Sequence, residues 1–396
     1  MFRGVSVLPR FSHPSRPSAS FTRIFIAKMS NLAAPLCPKF IPVEQTGITS
    51  ITDPDRFKFS MVSYNILAQV YVKSAFFPHS PSACLKWKQR SQAVLSLLKS
   101  LEADFLCLQE VDEYYEFYKA KMEQTGYSSI YVQRTRQKRD GCGVFYKNDV
   151  AELVLQETIE YNDLVNTIIS ESDSQADSST GSLDKNGTPA EKNEDLMQGG
   201  AKVEHGDPND PRVRLKRDCV GILAALQLKD PSRHIVIIAN THIYWDPEWV
   251  DVKLAQVKYL LSRLSLFKSL VSEKFDCTPS VLVAGDFNSI PGDQVYQYLV
   301  SGSPSAIRPV QCKDELPISL LSVYAHTRGE PAFTNCTPGF TGTLDYIFFA
   351  PSGCIKPISF LELPEADSAS VEGGLPNHHH PSDHLPIGAE FEVISG

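Results

Sequence analysis

A set of polar side chains in this 396-residue sequence has the types and spacing of a reactive site, since most of them directly follow apolar runs. They are carboxylates, amides and imidazoles, without a thiolate among them. Carboxylate and amide oxygens are hard ligands, which suit Mg²⁺ or Mn²⁺ better than zinc. Imidazoles titrate near ~6.5 and would serve in proton handling and phosphate stabilisation. The set comprises Asn65, Glu110, Asn240, His242, Asp286, Asn288, Asp345, Asp383 and His384.

Each of these residues, taken singly, has an ordinary structural explanation. Asn65 or Glu110 would serve equally as a turn residue or a surface acid after a strand. The GDFN sequence (residues 285–288) is also compatible with a tight turn held by Asx hydrogen bonds. Asp345 is harder to explain, because it lies in the apolar run LDYIFF and a buried acid needs a partner. The conjunction of all these residues in one chain favours a site.

The stretch NHHHPSDHLP (residues 377–386) contains four histidines and an aspartate. A zinc site is disfavoured because the nine cysteines are scattered without a CxxC pair, a pattern that also favours a reducing compartment. A purification tag is excluded because only three histidines are consecutive and the chain continues into a strand pattern. We therefore interpret the three consecutive histidines as a loop at the rim of a cleft and assign the chemistry to Asp383 and His384.

The elements that must position these residues begin near residue 58, where short β-branched or aromatic runs mix with helical patterns. Predicted strands lie at residues 59–67, 104–111, 127–132, 142–147, 219–228, 234–243, 279–287, 343–349 and 384–394. Predicted helices lie at residues 85–101, 114–126 and 248–267. Because strands and helices do not strictly alternate, the pattern predicts an α/β fold of mixed sheets with outer helices.

Composition is that of a globular protein with two atypical segments. Hydrophobic residues make up 42% of the sequence, and no apolar run approaches the ~20 residues that span a bilayer, so we expect no stable membrane association. Residues 165–211 are rich in Ser, Asp, Glu and Gly and are predicted to be a disordered acidic insertion within one domain. The net charge of −8 disfavours a general DNA-binding face, so a phosphate must be bound by a few basic residues or by metal ions.

The N-terminal segment differs in charge from the rest. Residues 1–43 contain six Lys and Arg residues and no Asp or Glu, which is typical of a mitochondrial or plastid transit peptide. We assign residues 1–45 to a targeting peptide or, alternatively, a disordered tail. If the first 28–40 residues act as a transit peptide we expect a mitochondrial or plastid enzyme, and otherwise a cytoplasmic and nuclear one. Met29 would provide a second start that removes this segment.

Six short motifs, in this order and spacing, resemble those of the endonuclease/exonuclease/phosphatase superfamily. They are NIL (65–67), LQEV (108–111), NTH (240–242), GDFNS (285–289), LDYIF (344–348) and PSDHLP (381–386). Residues 241–257 and the PSDHLP motif are similar to carbon-catabolite-repressor-type deadenylases, whereas residues 108–118 and 140–147 are similar to nocturnin and related plant proteins. The resemblance implies a catalytic domain at residues 58–395. It also implies a DNase I-like four-layer sandwich of two mixed β-sheets flanked by helices.

The resemblance also implies a role for each matched position, in an in-line displacement at phosphorus. Glu110, oriented by Asn65, would bind Mg²⁺ as one or two ions, with Mn²⁺ as an alternative. Asp345 would orient His384. The implied metal-site residues are Asn65, Glu110, Asp286, Asn288 and Asp383, the last as an outer-shell acid. The implied catalytic residues are His242, which would stabilise phosphoryl oxygens, Asp286 and Asn288, which would position the attacking water, Asp345 and His384.

Substrate-binding positions are implied by the deadenylase branch, in which a proline and an aromatic residue sandwich a base. Pro247 and Phe340 match those positions, and Trp245 of the adjacent W-D pair is a further candidate. Pro247 would equally open a helix, and Phe340 would equally belong to the core. In the basic turn RTRQKRD (134–140), Lys138 and Arg139 are candidates for a phosphate contact, unless the turn is simply a solvated hairpin.

Three functions are compatible with these observations. The first is a 3′-to-5′ exoribonuclease that shortens poly(A) and releases 5′-AMP. The second, from the likeness to nocturnin, is removal of the 2′-phosphate from NADP(H), which Asp246 disfavours because it would repel a second dianionic phosphate. The third is a non-catalytic scaffold that binds RNA or protein, which the complete motif set disfavours. The partner expected for the first function is single-stranded RNA. Leucine-rich repeats are absent from the sequence, so we expect no docking to the large deadenylase complex through such repeats.

Overall fold

The computed structural model describes residues 35–43, 56–166, 207, 209–301, 316–351 and 354–394. Within these residues most elements lie where the hydrophobic patterns predict them. The strands are β1 (Phe40–Pro42), β2 (Lys58–Asn65), β3 (Phe105–Gln109), β4 (Tyr127–Gln133), β5 (Gly141–Lys147), β6 (Ala151–Glu160), β7 (Val220–Leu228), β8 (Ile235–His242), β9 (Ser280–Asp286), β10 (Leu321–Ser322), β11 (Asn335–Thr337), β12 (Phe340–Gly342), β13 (Asp345–Phe349), β14 (Ile355–Leu361) and β15 (Ile387–Val393).

The α-helices that lie wholly within the described residues are fewer than the strands. They are α1 (Trp87–Ser100), α2 (Lys119–Glu123), α3 (Pro211–Arg214), α4 (Val250–Phe275), α5 (Gln294–Val300) and α6 (Val323–Thr327). The predicted helix at 114–126 begins as a π-helical turn, Tyr114–Tyr118. The long helix continues to Phe275 and ends at Asp276, which adopts a left-handed conformation with φ of 47°. None of these helices combines the length and apolarity needed to cross a membrane.

The described strands form two mixed sheets and one small hairpin. The first sheet has the order β1-β14-β15-β2-β3-β5-β4, the second has the order β10-β13-β9-β8-β7-β6, and β11 pairs with β12. The pairs β2–β3 and β8–β9 are parallel, whereas their other neighbours are antiparallel. The predicted fold class, a four-layer α/β sandwich of two mixed sheets flanked by helices, is confirmed.

The four layers follow from the alternation of side chains along each strand, which places neighbours on opposite faces of a sheet. Phe105 and Cys107 of β3 face Ile222 and Ile238 of the second sheet in the central core. Leu106 and Leu108 point the other way and pack with α1. In the second sheet, outward side chains such as Ile237 pack with α4. Each sheet is therefore apolar on both faces, which explains its nearly continuous hydrophobic runs.

Two parts of the chain differ from the sequence-based expectation. Residues 40–42, which we assigned to the N-terminal tail, form strand β1 and pair antiparallel with β14, because Phe40 and Ile41 have apolar cores to pack against. The predicted insertion begins too early at 165, since Val165 is buried in the core beside α4. Residues 167–206 of that insertion, and residues 1–34 of the predicted targeting segment, lie outside the described residues.

Candidate active site

The polar residues predicted from the motifs come together where strands from both sheets end. Asn65 ends β2 and Glu110 follows the parallel neighbour β3, while His242 and Asp286 end the parallel strands β8 and β9 in the same register. Asp345 begins the antiparallel strand β13 directly opposite Asp286. Neighbouring parallel strands have their carboxyl ends at the same edge of a sheet, so residues far apart in sequence meet at that edge. We call Asn65, Glu110, His242, Asp286, Asp345, Asp383 and His384 the acidic site.

Asn65 connects the two sheets within the acidic site. Its buried Nδ2 donates hydrogen bonds of 3.0 Å to Glu110 Oε1 and of 3.0 Å to Asp286 Oδ2. Its Oδ1 accepts a hydrogen bond of 3.0 Å from the amide of Leu67. Because both the nitrogen and the oxygen of the side-chain amide form hydrogen bonds, Asn65 orients the two carboxylates and has little capacity left to ligate a metal itself.

Glu110 is held in an unusual backbone conformation, with φ of 56°. Its second carboxylate oxygen accepts a hydrogen bond of 2.9 Å from the amide of Ala68. Burial, followed by the negative charges of Asp383 and Asp140, raises the pKa of Glu110 to about 7, although the hydrogen bond from Asn65 acts in the opposite direction. Buried carboxylates that repel one another are stabilised by a cation. The donor set around Glu110 therefore fits a hard divalent metal ion.

Asp286 occupies the centre of the acidic site. Its Oδ1 accepts a hydrogen bond of 2.9 Å from the amide of Asn288, and its Oδ2 lies 3.5 Å from Nε2 of His242. Burial and the charge of Asp345 raise the pKa of Asp286. Gly285 is required beside it, because a Cβ there would lie 2.0 Å from the carbonyl oxygen of Thr241. These contacts fix the carboxylate at the junction of the two parallel strands.

The surroundings of the two histidines of the acidic site shift their pKa values in opposite directions. Burial lowers the pKa of His242, and its Nδ1 has no hydrogen-bond partner among the described residues. Burial also disfavours charge on His384, but the carboxylates of Asp345 and Asp286 outweigh it and raise the pKa well above the usual value. His384 Nδ1 lies 2.7 Å from Asp345 Oδ2, which also accepts a hydrogen bond of 2.6 Å from Thr334. These surroundings favour the protonated form of His384 and the neutral form of His242.

Two parts of the acidic site offer ligands to a metal. Side-chain atoms of Asp286, Asp345 and His384 lie within 4.8 Å of one another. Nδ1 of His384 is already engaged by Asp345, however, and the raised pKa of His384 favours the protonated form, which cannot ligate. Glu110 and Asp286, with Asp383 nearby, are the better set, because the charge of Asp383 raises the pKa of Glu110 and no imidazole pairs with the Glu110 carboxylate among the described residues. The geometry thus favours the Glu110 side for the ion.

Other predicted residues take supporting positions. Asn288 has φ of 46°, its Nδ2 donates to the carbonyl of Ile243 at 3.1 Å, and its carbonyl accepts from Lys253 at 2.7 Å. Asn240 is buried between the sheets, where it accepts a hydrogen bond of 2.8 Å from Gln109. The Asn240 side chain therefore connects the two sheets and does not line the cleft. Its partner Gln109 was not among the residues predicted from the sequence.

The three consecutive histidines lie apart from the acidic site. Nδ1 of His378 contacts the thiol of Cys84 at 3.3 Å, and His380 is buried. None of these histidines is among the residues that line the cleft, so the interpretation as a loop at its rim is wrong. Among the described residues, no cluster of Cys and His side chains has metal-site spacing.

The acidic site opens into a cleft of about 580 Å³, which suits a nucleotide-sized ligand. Of the substrate-binding candidates, Lys138 and Trp245 line this cleft, and the Trp245 side chain is 63% exposed. Pro247 and Phe340 do not line it, and Arg139 instead forms an ion pair of 2.8 Å with Glu113. Lining residues that sequence reasoning missed are Tyr71, Phe76, Arg134, Lys216 and Arg217. The basic run RLKRD (214–218) was the signal in the sequence that could have indicated Lys216 and Arg217.

Comparisons with known proteins agree with this architecture. The model of the Endonuclease/Exonuclease/phosphatase family matches residues 62–384. The chain belongs to this family. It is 63% identical over 337 residues to carbon catabolite repressor protein 4 homolog 4 of Arabidopsis thaliana, which covers 85% of this chain and 78% of that protein. The resemblance to the superfamily and to its carbon-catabolite-repressor branch is thus confirmed.

Two further members of the family extend the comparison. The CCR4-Not complex 3′-5′-exoribonuclease subunit Ccr4 of Schizosaccharomyces pombe is 28% identical over 384 residues, which is 86% of this chain but only 50% of that protein. The crystal structure of ANGEL2, a 2′,3′-cyclic phosphatase, in complex with adenosine-2′,3′-vanadate superimposes with a TM-score of 0.65 at 25% identity, covering 90% of this chain and 99% of that one. These relatives are a nuclease and a phosphatase, so family membership supports an enzyme that hydrolyses phosphate esters.

Proposed function

We propose that this protein is a Mg²⁺-dependent 3′-to-5′ exoribonuclease that shortens poly(A) and releases 5′-AMP. The observation that carries the proposal is the pair of hydrogen bonds from Asn65 to Glu110 and Asp286, which fixes two carboxylates that line a nucleotide-sized cleft. The similarity to an exoribonuclease of S. pombe and to the Arabidopsis relative supports the choice of RNA.

Glu110 and Asp286, with Asp383 nearby, are the residues that would hold Mg²⁺, which supplies charge neutralisation at the phosphate oxygens. Asp286 is placed to accept a proton from the attacking water, since burial raises its pKa above that of an ordinary carboxylate. The new bond joins the water oxygen to phosphorus, and the bond from phosphorus to the 3′ oxygen of the preceding nucleotide breaks. His384, whose pKa is raised, and His242 are placed to donate hydrogen bonds to the phosphoryl oxygens.

A second candidate, the NADP(H) 2′-phosphatase, gains support from one observation. Asp246, whose charge disfavoured a second phosphate, does not line the cleft, and its Oδ1 accepts a hydrogen bond of 3.0 Å from the amide of Glu248. The electrostatic objection therefore weakens. Because ANGEL2 is a 2′,3′-cyclic phosphatase, RNA that ends in a 2′,3′-cyclic phosphate is a third ester to be tested.

One experiment separates these activities. Purified protein with Mg²⁺ receives 5′-labelled oligo(A), a mixed-sequence RNA, NADPH and RNA with a 2′,3′-cyclic phosphate, with Glu110→Gln as the isosteric control. The proposal predicts stepwise loss of 3′ adenylates, release of 5′-AMP, and activity reduced by roughly 10³-fold in Glu110→Gln. Inorganic phosphate from NADPH beside intact oligo(A) would replace it with the phosphatase, and full activity of Glu110→Gln would overturn the metal-site assignment.

A further inference from the structure

Besides the acidic site, the cleft contains basic side chains that the proposed chemistry does not use. Lys138, Lys216 and Arg217 line the same cleft as Glu110 and Asp286, and we call these three the basic set. Among the described residues, none of the three has a carboxylate within ion-pairing distance. The chain as a whole is acidic, with a net charge of −8, so unpaired cations in one concavity are not a general property of its surface.

The loop that carries Lys216 and Arg217 is held in place by a different cation. Arg134 donates hydrogen bonds of 3.3 Å and 3.1 Å to the carbonyls of Arg217 and Asp218, and it pairs with buried Asp140 at 3.5 Å. The carboxylate of Asp218 points to other partners, since it accepts hydrogen bonds of 2.8 Å from Thr135 and Asn162. Arg134 therefore fixes the loop through its backbone carbonyls. The charge of Asp218 is directed at partners outside the basic set, so it does not neutralise that set.

Arg217 is also positioned by aromatic rings. Its guanidinium lies 4.0 Å from the ring centroid of Trp249 and 5.2 Å from that of Tyr244. Its Nε is buried without a hydrogen-bond partner among the described residues. Stacking fixes the plane of the guanidinium and leaves N–H groups to donate, which is the arrangement that suits a phosphate. Exposed Trp245 and Phe76 line the same cleft and offer faces for base stacking.

We propose that the basic set binds a phosphate group other than the one that is cleaved. The ligand class is a nucleotide derivative with at least two phosphate groups, either the next internucleotide phosphate of single-stranded RNA or the diphosphate of a dinucleotide. The inference rests on the proposed function for the cleaved phosphate and deepens it by adding a second contact. A substrate with the scissile phosphate alone would occupy only the acidic site.

The test varies the number of phosphates and the number of cations together. ApA with a free 5′-hydroxyl contains only the scissile phosphate, ApApA contains one more, and NADPH carries its diphosphate apart from the 2′-phosphate. The variants are Lys216→Gln, Arg217→Gln and their double variant, with Lys119→Gln on exposed α2 as a control that removes one charge outside the cleft. KM and kcat are measured at several salt concentrations.

We expect KM for ApApA to rise at least tenfold in the double variant with kcat within about twofold, while ApA and the Lys119→Gln control change little. The slope of log(kcat/KM) against log salt for oligo(A) should fall by about 0.7 per cation removed. A slope and KM equal to those of the wild type would overturn the subsite. If the same KM rise occurs for NADPH and not for ApApA, the bound group is a dinucleotide diphosphate.

Failure of the proposed function gives a different result. In Ca²⁺ or EDTA, binding of labelled oligo(A) is followed by fluorescence anisotropy without turnover. Binding that weakens in the double variant supports the basic set even when no substrate is hydrolysed. Binding that is unchanged in the double variant overturns it, whatever the activity of the wild type.

A second, independent observation concerns Arg90 of α1, whose guanidinium is buried with 2% of the residue exposed. It donates hydrogen bonds to the carbonyls of Ile66 at 2.8 Å, of Leu67, and of Pro381 at 3.1 Å. The first two follow Asn65, and the third precedes the segment that holds Asp383 and His384. One side chain thus ties together two loops of the acidic site.

The contact with Leu67 bears directly on Glu110. Leu67 has φ of 58°, a left-handed conformation that is unfavourable for a residue with a bulky side chain. This turn directs the amide of Leu67 at Asn65 Oδ1 and the amide of Ala68 at Glu110 Oε2, at 3.0 and 2.9 Å. We infer that Arg90 is a positioning residue, which stabilises the turn and thereby orients the Glu110 carboxylate for its metal.

This inference rests on the proposed metal centre and is tested with readouts other than activity. Mn²⁺ affinity is measured by calorimetry, and hydrogen exchange of residues 66–68 is measured without metal. Arg90→Lys is compared with Val94→Ala, a buried position on the same helix that packs in the core beside it. We expect Arg90→Lys to weaken Mn²⁺ binding at least tenfold, to lower kcat more than it changes KM, and to speed exchange at 66–68.

Val94→Ala should lose stability while keeping metal affinity and exchange near those of the wild type. Equal effects of the two variants at matched folded fraction would show a merely structural role for Arg90 and overturn the inference, as would wild-type Mn²⁺ affinity in folded Arg90→Lys. If the wild type binds no metal, the proposed centre fails, and faster exchange at 66–68 in Arg90→Lys alone still supports the positioning role.

Discussion

The acidic site and the basic set line the same cleft but are built in different ways. The acidic site sits at strand ends, and buried side chains such as Asn65 and Asp345 make several short hydrogen bonds each. The basic set sits on connecting segments, and Lys138 is exposed without an ionic partner among the described residues. The rigid part suits bond breaking, for which geometry must be fixed in advance, and the open part suits recognition of substrates.

The two regions should therefore respond differently to substitution. Changes in the acidic site remove groups that we propose to act on the scissile phosphate, so they should lower kcat. Changes in the exposed part of the cleft remove substrate contacts that are similar before and during reaction, so they should raise KM instead. Four predictions test this division.

The largest effect is expected for Glu110→Gln, since it removes a charge from the predicted metal site while keeping the shape of the side chain. We expect kcat to fall by roughly 10³-fold. Thermal stability should stay equal or increase, because a buried carboxylate with repelling neighbours is replaced by a neutral group. Steady-state kinetics and thermal melts measure both. A variant that melts far below the wild type would indicate that Glu110 is structural.

The next effect concerns Asp345→Asn, which removes the largest of the charges that raise the pKa of His384. We expect kcat to fall about 10²-fold, with the loss becoming larger as pH rises. The folded-state pKa of His384 is raised, so its stabilisation is complete below its unfolded value of ~6.5 and is lost as pH rises through the folded value. Chemical denaturation should thus show a greater loss of stability for the variant at pH 6 than at pH 9.

A third effect is a pH dependence of metal binding at the acidic site. Since the pKa of Glu110 in the metal-free protein is about 7, its carboxylate must lose a proton to bind the ion. Apparent Mg²⁺ affinity should fall towards tenfold for each pH unit below 7 and level off above 8. Calorimetry in buffers of different ionisation enthalpy counts the released protons. An affinity that is constant from pH 5.5 to 8 would contradict the assignment of Glu110.

The smallest effects are expected at the aromatic candidates, and they sharpen the contrast within the exposed region. Trp245→Ala should raise KM for oligo(A) by about tenfold, since stacking of a base contributes ~1–3 kcal/mol. Phe340→Ala should change KM less than twofold, because Phe340 does not line the cleft. The reverse order in matched kinetic assays would restore the base sandwich that the family resemblance implies.

The same division explains which features could be predicted from the sequence. Strand ends such as Asn65, His242 and Asp286 follow strong apolar runs, so their convergence follows from the pairing of parallel strands. The edge strand β6 lacked such a signal, because its exposed positions carry polar residues. Phe340 was predicted to contact a base, but it does not line the cleft. Its location depends on the direction of the β11–β12 hairpin, which no local sequence pattern determines.

Supporting residues were missed for a related reason. Gln109 and Arg90 act through partners that are distant in sequence, and a buried arginine within an amphipathic helix pattern is indistinguishable from a solvent-facing one. The contribution of Lys216 and Arg217 depends on Arg134, which lies more than eighty residues earlier and fixes their loop. Such pairings become visible only when the two sheets are packed together.

The most direct test of the central claim is a crystal structure with Mn²⁺, in which anomalous scattering locates the ion. We expect a peak beside the carboxylates of Glu110 and Asp286, with the hydrogen bond between Asp345 and His384 intact. Soaked 5′-AMP should then place its phosphate beside this ion. A peak enclosed by Asp286, Asp345 and His384, or no peak at the acidic site at saturating Mn²⁺, would contradict the account.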